Sequence, residues 1–358
     1  MYGARCGGKH SGLVEPPVVF RHFGALVPVS TPVLAQTWQT RAGTFVRRSR
    51  WSPMMKFLSM SKLNILLIAS SLQVFTGCAI ASTENPARWT PPVISSDQYE
   101  SSAVFASMGQ EMYFMRADRK FGSYLILRSK CVNGKWQPPV ELHLSTVDGS
   151  DNADPFVTRD GTKLYFISTR HRYSEVGNED FDILVSERNA DGEWGEPVRL
   201  PEPVNSTGSE LFPRLDSDGI LYFGSDRPGG VGGTDIYSAR QARDGSWQVV
   251  NVRSLNTTSN EYEAAISDDG TKMAVISDRE GKSRLHIFTL DGDQWIHKKR
   301  LRARESVFQV GPLWSPDGKR LMFSQDTGED SGEIFVVNTK ADPDPSWPPT
   351  CQPSYSQK

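Results

Sequence analysis

The chain has 358 residues, 23% of them charged, and a formal net charge of −2. This composition excludes a mostly disordered chain and is typical of a globular protein with a large core. The charge is uneven, because residues 1–77 hold nine of the 40 Lys and Arg but one of the 42 Asp and Glu. The remainder carries 31 basic and 41 acidic side chains, a net charge of −10. Such an acidic body argues against nucleic acid as a partner.

The first 78 residues do not have the pattern of a folded domain. Residues 1–53 are rich in Arg and show no clear hydrophobic periodicity, so we interpret them as a non-native or disordered basic extension. Residues 54–78 have the order of a secretory signal. Lys56 and Lys62 accompany the apolar segment 63–72, which is too short to cross a membrane.

The signal ends in Phe75-Thr76-Gly77-Cys78, which resembles a bacterial lipobox and predicts lipidation of Cys78. The alternative is ordinary signal cleavage near residues 79–81, which would discard that cysteine. An Asp after the cysteine would resemble an inner-membrane retention signal, but the residue there is Ala79. The sequence therefore predicts a lipoprotein on the periplasmic side of the outer membrane.

The rest of the chain contains a repeated sequence motif. In each copy an apolar strand leads through a turn, Asp-Gly in four of the copies, into a second apolar strand. The turn aspartates are spaced 58, 51 and 48 residues apart, and a later tryptophan follows with spacings of 58, 53 and 48. A unit of about 50 residues cannot bury its apolar face alone, so the copies must stack. The copies span 105–118, 156–170, 214–227, 265–279 and 314–326, with turn aspartates at Asp160, Asp218, Asp269 and Asp317 and tryptophans at Trp136, Trp194, Trp247 and Trp295.

Further short segments, either apolar or alternating between apolar and polar residues, lie within and after these motifs. Four short strands per unit, separated by Gly, Asn and Asp turns, indicate a propeller blade. The predicted strands include 163–167, 182–186, 235–239, 285–290 and 333–338.

The pattern resembles the WD-like β-propeller repeat of TolB and of many bacterial envelope proteins. The segments SPDGKRLMFS (315–324) and SDGILYFGSDRPGGVGGTDIYSA (217–239) carry the resemblance, which extends over about 86–340. It implies protein partners and no cofactor. The repeat occurs in scaffolds, receptors and enzymes alike, so it leaves the function open.

The two ends of the array complement each other. Residues 88–93 match 135–140 and 193–198, and so form an outer strand with no blade before them, whereas the last copy has three strands. We therefore predict an all-β fold: a single propeller over 79–340, with five four-stranded blades closed by the strand around Trp89. A Pro-rich tail, 341–358, follows. In the alternative, residues 346–349 form the last outer strand and the propeller has six blades.

Candidate site residues come from positions that vary between the copies. Every copy carries a carboxylate or an amide eight residues before the turn position, and these residues form the first set. The residues two positions later form the second set. We predict that the first set, together with Asp154 and Glu263 of the second, lines one mouth of the central channel. The first set is Glu100, Asn152, Glu210, Glu261 and Gln309, and the second is Ser102, Asp154, Phe212, Glu263 and Gly311.

Three interpretations of this mouth stay open. In the first, the polar groups only hydrate the channel. In the second, they bind a cation or another ligand, and calcium is a cation that prefers oxygen ligands of this kind. In the third, Glu210, Glu261 and Glu263 act as acid and base on a sugar, which needs two carboxyl groups about 5 to 10 Å apart. We assign no catalytic residue and no metal site, because the sequence has no HxH, HExxH or CxxC motif.

Other features outside the channel complete the sequence prediction. The longest insertion, 170–180, makes Arg170, His171, Arg172 and Tyr173 candidates for partner contact, with a mobile surface loop as the alternative. Asp-Arg pairs such as Asp226-Arg227 are expected to cap turns and form ion pairs between blades. Cys131 and Cys351 would pair if the two ends of the array meet.

The predicted function is a lipid-anchored extracytoplasmic binding module in the cell envelope. Its expected partners are an envelope protein or a glycan, with no nucleic acid, and the membrane is contacted through the lipid anchor only. The alternative is a carbohydrate-active enzyme, a glycosidase or lyase that uses the carboxylates of the channel mouth.

Overall fold

The computed structural model describes residues 85–351, apart from gaps at 107–108, 143, 145–148, 171–179, 303–306 and 328–330. The described chain is all-β, with 21 strands and no α-helix. None of these residues forms a helix long and apolar enough to span a membrane. The signal segment and Cys78 lie outside the described residues.

The strands follow one another in up-and-down order, so that each sheet is a local antiparallel meander. The first group is β1 (Ala87–Arg88), β2 (Tyr99–Ala106), β3 (Glu111–Ala117), β4 (Tyr124–Val132), β5 (Lys135–Trp136) and β6 (Val140–Glu141). The second is β7 (Asn152–Val157), β8 (Lys163–Ser168), β9 (Asp182–Glu187) and β10 (Val198–Arg199). The third is β11 (Glu210–Leu215), β12 (Leu221–Ser225), β13 (Asp235–Gln241) and β14 (Trp247–Asn251). The last two are β15 (Glu261–Ile266), β16 (Lys272–Ser277), β17 (Arg284–Asp291) and β18 (Gln294–Arg300), then β19 (Gln309–Trp314), β20 (Arg320–Asp326) and β21 (Gly332–Asn338).

Three groups form separate four-stranded sheets, β7–β10, β11–β14 and β15–β18. The remaining strands form one nine-stranded sheet, because β2 pairs with β21 in parallel at the single position Tyr99↔Gly332. All other pairings are antiparallel. The five predicted strands are confirmed, each to within two residues at either end, because their apolar alternation matches the two-residue period of a strand.

The first strand of each meander lies innermost. Strands β2, β7, β11, β15 and β19 each contact the next one in this order, and β19 also contacts β2. Aromatic side chains such as Phe166, Phe212 and Phe223 are fully buried on these and the adjoining strands. This is the architecture of a β-propeller, in which meanders pack face to face around an axis.

The N-terminal strand joins the last meander. Strand β1 pairs antiparallel with β21, through Ala87↔Val336 and Arg88↔Phe335, and the Trp89 N–H donates to the Ile334 carbonyl at 2.8 Å. Residues 342–351 form no strand.

The C-terminal segment is fixed to the body at two points. Trp347 is buried against Ile94 and Ile334, and Cys351 forms a disulfide with Cys131 of β4 with their Cα atoms 5.3 Å apart. The crosslink closes a loop of 220 residues, which in the chain-entropy model stabilises the fold by about 5 kcal/mol.

Candidate ligand pocket

The first predicted set of channel residues is buried inside the sheets. Glu100, Glu210 and Glu261 are each 0% exposed. The Glu210 carboxylate accepts hydrogen bonds from the Ser206 N–H and hydroxyl, at 3.0 and 2.7 Å, and from the Ser225 hydroxyl at 2.9 Å. The Arg227 guanidinium completes the set at 2.9 Å. This carboxylate therefore ties the loop before β11 to the end of β12.

The same anchor recurs in the next sheet. Glu261 accepts from the Thr257 N–H and hydroxyl, from the Ser277 hydroxyl at 2.6 Å and from Arg279 at 3.0 Å. Each arginine pairs with the glutamate of its own sheet. The expectation of ion pairs between blades is therefore wrong for these two, because the Asp-Arg turn folds back onto its own inner strand.

The other members of the first set have separate partners. The Glu100 carboxylate accepts from Ser96 and, at 2.8 Å, from Arg116. The Asn152 amide donates to the Ser150 carbonyl, and the Gln309 amide oxygen accepts from the Leu285 N–H at 3.1 Å. Burial raises the pKa of Glu210 to about 7, and its hydrogen bonds from Ser206 and the charge of Arg227 oppose that rise.

The second predicted set does come together on the axis. Every inner strand has a shift of register just after its first residues, and Ser102, Asp154 and Phe212 have φ of +52° there. The Ser102 hydroxyl donates to Asp154 at 2.8 Å, and the Gly311 N–H donates to Glu263 at 2.6 Å. A bulge of this kind changes which side chains face inward, so residues two apart no longer share a face.

An arginine that the sequence reasoning missed lies beside the two carboxylates. Arg214 is 2% exposed, and its guanidinium carbon lies 3.5 Å from the centre of the Phe212 ring. Its Nε and Nη2 have no hydrogen-bond partner among the described residues. Burial lowers the pKa of Arg214 to about 10, although the charges of Asp154 and Glu263 oppose this. Its position in the sequence Phe-Pro-Arg, on the strand that also carries the predicted channel residue Glu210, is the only signal for it.

Burial raises the pKa of both acids. For Asp154, the charge of Arg214, the Ser102 hydroxyl and the Phe212 N–H oppose the rise. The pKa of Glu263 is raised well above its usual range, and the negative charge of Asp154 adds to the effect of burial. Since two like charges in a dry site are costly, the ionised form of Asp154 opposes ionisation of Glu263.

Above these acids lies a cavity of about 30 Å³, enough for about two or three water molecules. Asp154 and Glu263 line it, and aromatic side chains form much of its wall. Tyr99 and Phe121 have ring centroids 4.4 Å apart, and Phe308 lies 5.7 and 5.9 Å from them. We call this space the axial pocket and these three rings the aromatic wall.

One further pocket residue carries an unpartnered polar atom. The Ser324 hydroxyl lines the axial pocket, is 3% exposed and has no hydrogen-bond partner among the described residues. In the strand register Ser324 lies opposite Val310, at the position that Gly224 and Ile167 occupy in other sheets. Ser225 and Ser277, which donate to a glutamate, lie one position further along, where β20 carries Gln325 opposite Gln309.

Two other sequence predictions have a limited outcome. Of the candidate partner loop, Arg170 is described: it is 3% exposed, with its guanidinium 5.8 Å from the Phe166 ring centre. His171, Arg172 and Tyr173 lie outside the described residues. Among the residues that are described, no cluster of His, Cys, Asp and Glu could hold a metal ion.

Comparison with known proteins gives structural similarity alone. No family model matches the chain, and no curated protein matches it. TolB from Acinetobacter baumannii is similar with a TM-score of 0.44 and 15% identity, over 69% of this chain and 56% of that one. A putative TolB from Agrobacterium tumefaciens has a TM-score of 0.45 and 13% identity, over 69% and 92%. An endo-arabinase from Bacteroides thetaiotaomicron has a TM-score of 0.46 and 15% identity, over 72% of this chain and 98% of that one.

Thus the chain resembles TolB-like propellers and propeller enzymes to a similar degree. It spans just over half the length of the first of these structures. At such identities the similarity concerns the fold and does not distinguish a binding protein from an enzyme.

Proposed function

We propose that this chain is an extracytoplasmic binding module, a five-bladed propeller whose ligand enters the axial pocket. Supporting the five blades, β1 supplies a fourth strand to β19–β21, and the inner strands contact one another in a cycle. A Cβ added at Gly311 would lie 2.6 Å from the Ser102 backbone nitrogen, so the first and last inner strands approach closely.

The proposed location rests on two observations. The Cys131–Cys351 disulfide is typical of an oxidising compartment, and the lipobox-like sequence at Cys78 would anchor the chain to a membrane. We therefore propose a location in the cell envelope, on the periplasmic side of the outer membrane. An envelope protein or a glycan remains the proposed partner, with His171, Arg172 and Tyr173 as the proposed contact residues, since Arg170 is buried.

The observation that carries the binding function is the axial pocket itself. Phe121, which has a φ of +54° in the turn between β3 and β4, a buried acid pair from two inner strands and the unpartnered Ser324 of β20 converge there. Convergent polar groups in an apolar concave site are the usual features of a ligand site. The glutamates proposed for catalysis, Glu210 and Glu261, are instead occupied by serine and arginine partners of their own sheets.

A specific observation also favours the enzyme alternative. Asp154 and Glu263 both line the axial pocket, and the charge of Asp154 helps to raise the pKa of Glu263, so the pocket holds the two carboxyl groups that a glycosidase needs. Hydrolysis or elimination on a polysaccharide panel, followed by Glu263→Gln, separates the two. Turnover that this change abolishes would overturn the binding module.

The binding function itself is tested with the full chain and a panel of small sugars, amines and peptides. Titration calorimetry with wild type and Phe121→Ala should detect at least one ligand whose affinity falls in the variant. Arg119→Ala is the matched control, since Arg119 lies two residues away with its side chain 52% exposed and contacts Asp97. Equal affinities in wild type and Phe121→Ala for every ligand bound would place binding elsewhere and reject the proposal.

A further inference from the structure

We propose that the axial pocket recognises an organic cation, an alkylammonium or guanidinium group at the end of an apolar stem. This inference rests on the proposed function, since it names the ligand class of the same pocket. The cation would lie between the aromatic wall and the carboxyl groups of Asp154 and Glu263. The apolar stem would extend past the wall toward solvent.

The hydrogen-bonding groups of the pocket favour a ligand that donates. The residues that line the pocket include the two acids Asp154 and Glu263 and the hydroxyl-bearing Ser324. Carboxylates accept hydrogen bonds, and an unpartnered serine oxygen can accept one more. An ammonium group has three donors and no acceptor, so it complements this set.

The aromatic wall also attracts a cation. Tyr99, Phe121 and Phe308 form one continuous cluster, and each is 8% exposed. A cation within about 6 Å of an aromatic face is attracted by the ring quadrupole, more strongly when it is desolvated. The apolar part of the wall would cover the stem.

Other ligand classes fit this pocket less well. An anion would lie against two carboxyl groups in a dry site, at a large cost in free energy. A sugar ring carries hydroxyl groups on every side, and most of the pocket wall is apolar, including Met115, Ile167 and Val310. Those hydroxyl groups would lose water without gaining partners.

The charged groups around Glu263 predict how binding depends on pH. Asp154 of β7 and Arg214 of β11 face it, and β19 contributes the Gly311 N–H. One proton on Glu263 leaves Asp154 and Arg214 to balance each other. A bound cation favours the ionised carboxyl, so binding releases that proton and strengthens as pH rises.

The test compares probes of different charge and chemical class, among which n-butylammonium and butan-1-ol share the same apolar stem. The full chain is titrated with n-butylammonium, n-butylguanidinium, butan-1-ol and methyl glucoside, at pH 6 and pH 8 and in two buffers of different ionisation enthalpy. We expect either cation to bind about tenfold or more tighter than butan-1-ol, with proton release and higher affinity at pH 8. Glu263→Gln should remove the proton release and the pH dependence.

The remaining outcomes separate this inference from the proposed function. Two outcomes would overturn the cation specificity while leaving a binding pocket: equal affinity for n-butylammonium and butan-1-ol, or tighter binding of methyl glucoside. In either case, the affinity would still fall in Phe121→Ala. Binding of every probe unchanged in Phe121→Ala would overturn both. A lysine-containing pentapeptide tells the sources apart: tighter binding than n-butylammonium indicates a protein partner's side chain, and equal binding indicates a free amine, each within the proposed class.

Discussion

Phe121 occupies the position in its turn that Gly281 occupies in the turn between β16 and β17. Each follows an Asp-Arg pair, and each N–H donates to the carbonyl of that Asp, Asp118 at 3.0 Å and Asp278 at 2.6 Å. Gly281 has a φ of +85° and Phe121 a φ of +54°. A bulky residue in this region is strained, and such strain concentrates at ligand sites.

The first prediction concerns that strain. Phe121→Ala and Phe121→Gly both remove the ring, but only the glycine relieves the left-handed backbone. We expect the Phe121→Gly variant to be more stable than the Phe121→Ala variant by about 1 kcal/mol, or about 2–4 °C in Tm. Differential scanning calorimetry of the two variants measures the difference.

The matched control is Gly281→Ala. A Cβ at Gly281 would meet no atom within 4 Å, so any loss of stability comes from the backbone. We expect this variant to lose about 1 kcal/mol. A Phe121→Ala variant at least as stable as the Phe121→Gly variant would contradict the account of strain.

The second prediction concerns the buried glutamate anchors. Glu261→Gln leaves Arg279 without its counter-charge in a site that excludes water, so we expect a loss of roughly 3 kcal/mol, close to 10 °C in Tm. The control is Glu187→Gln, because the Glu187–Lys163 pair is exposed and should contribute under about 0.5 kcal/mol. Chemical denaturation measures both. Equal effects of the two substitutions would show that Glu261 is not an anchor.

The third prediction concerns pH. Burial raises the pKa of Glu263 in the folded state, so its contribution to stability is complete below about pH 4.5 and is lost as pH rises through the raised value. The free energy of unfolding of the wild type should therefore fall more steeply than that of Glu263→Gln as the pH rises above about 4.5. Urea denaturation across this range measures both slopes, and parallel slopes would exclude a raised pKa.

The fourth prediction concerns the disulfide. Cys131→Ser with Cys351→Ser removes a crosslink that closes 220 residues, and we expect a loss of up to about 5 kcal/mol. The reducing agent dithiothreitol should lower the Tm of the wild type and leave that of the double variant unchanged. A wild-type Tm that does not respond to complete reduction would show that the crosslink does not stabilise the fold.

The repeat could be predicted from sequence because its signals are local. Alternation of apolar residues between 163 and 167, for example, matches one strand of the structure, and the Asp-Gly turns fix where strands reverse. The pairing of β1 with β21 also followed from a local match, between residues 88–93 and the other outer strands. Pairing of Cys131 with Cys351 depended on where the chain ends meet, which spacing leaves open.

The site was predicted in part, for a physical reason. Asp154 and Glu263, two of the residues predicted for the channel mouth, line the axial pocket, but Glu210 and Glu261 turn into their own sheets because a bulge separates them from the next inward residue. Arg214 and the aromatic wall were missed, since contact between strands β2, β11 and β19 is set by packing around the axis. The substitution of Phe121 for a turn glycine was visible in the Asp-Arg-Lys-Phe sequence.

The most direct test of the central claim is a crystal structure of the full chain with n-butylammonium at saturating concentration. We predict density in the axial pocket, with the nitrogen within hydrogen-bond distance of Asp154 or Glu263 and the stem against Phe121. Density bound elsewhere on the protein, or an axial pocket that holds only water at that concentration, would contradict it.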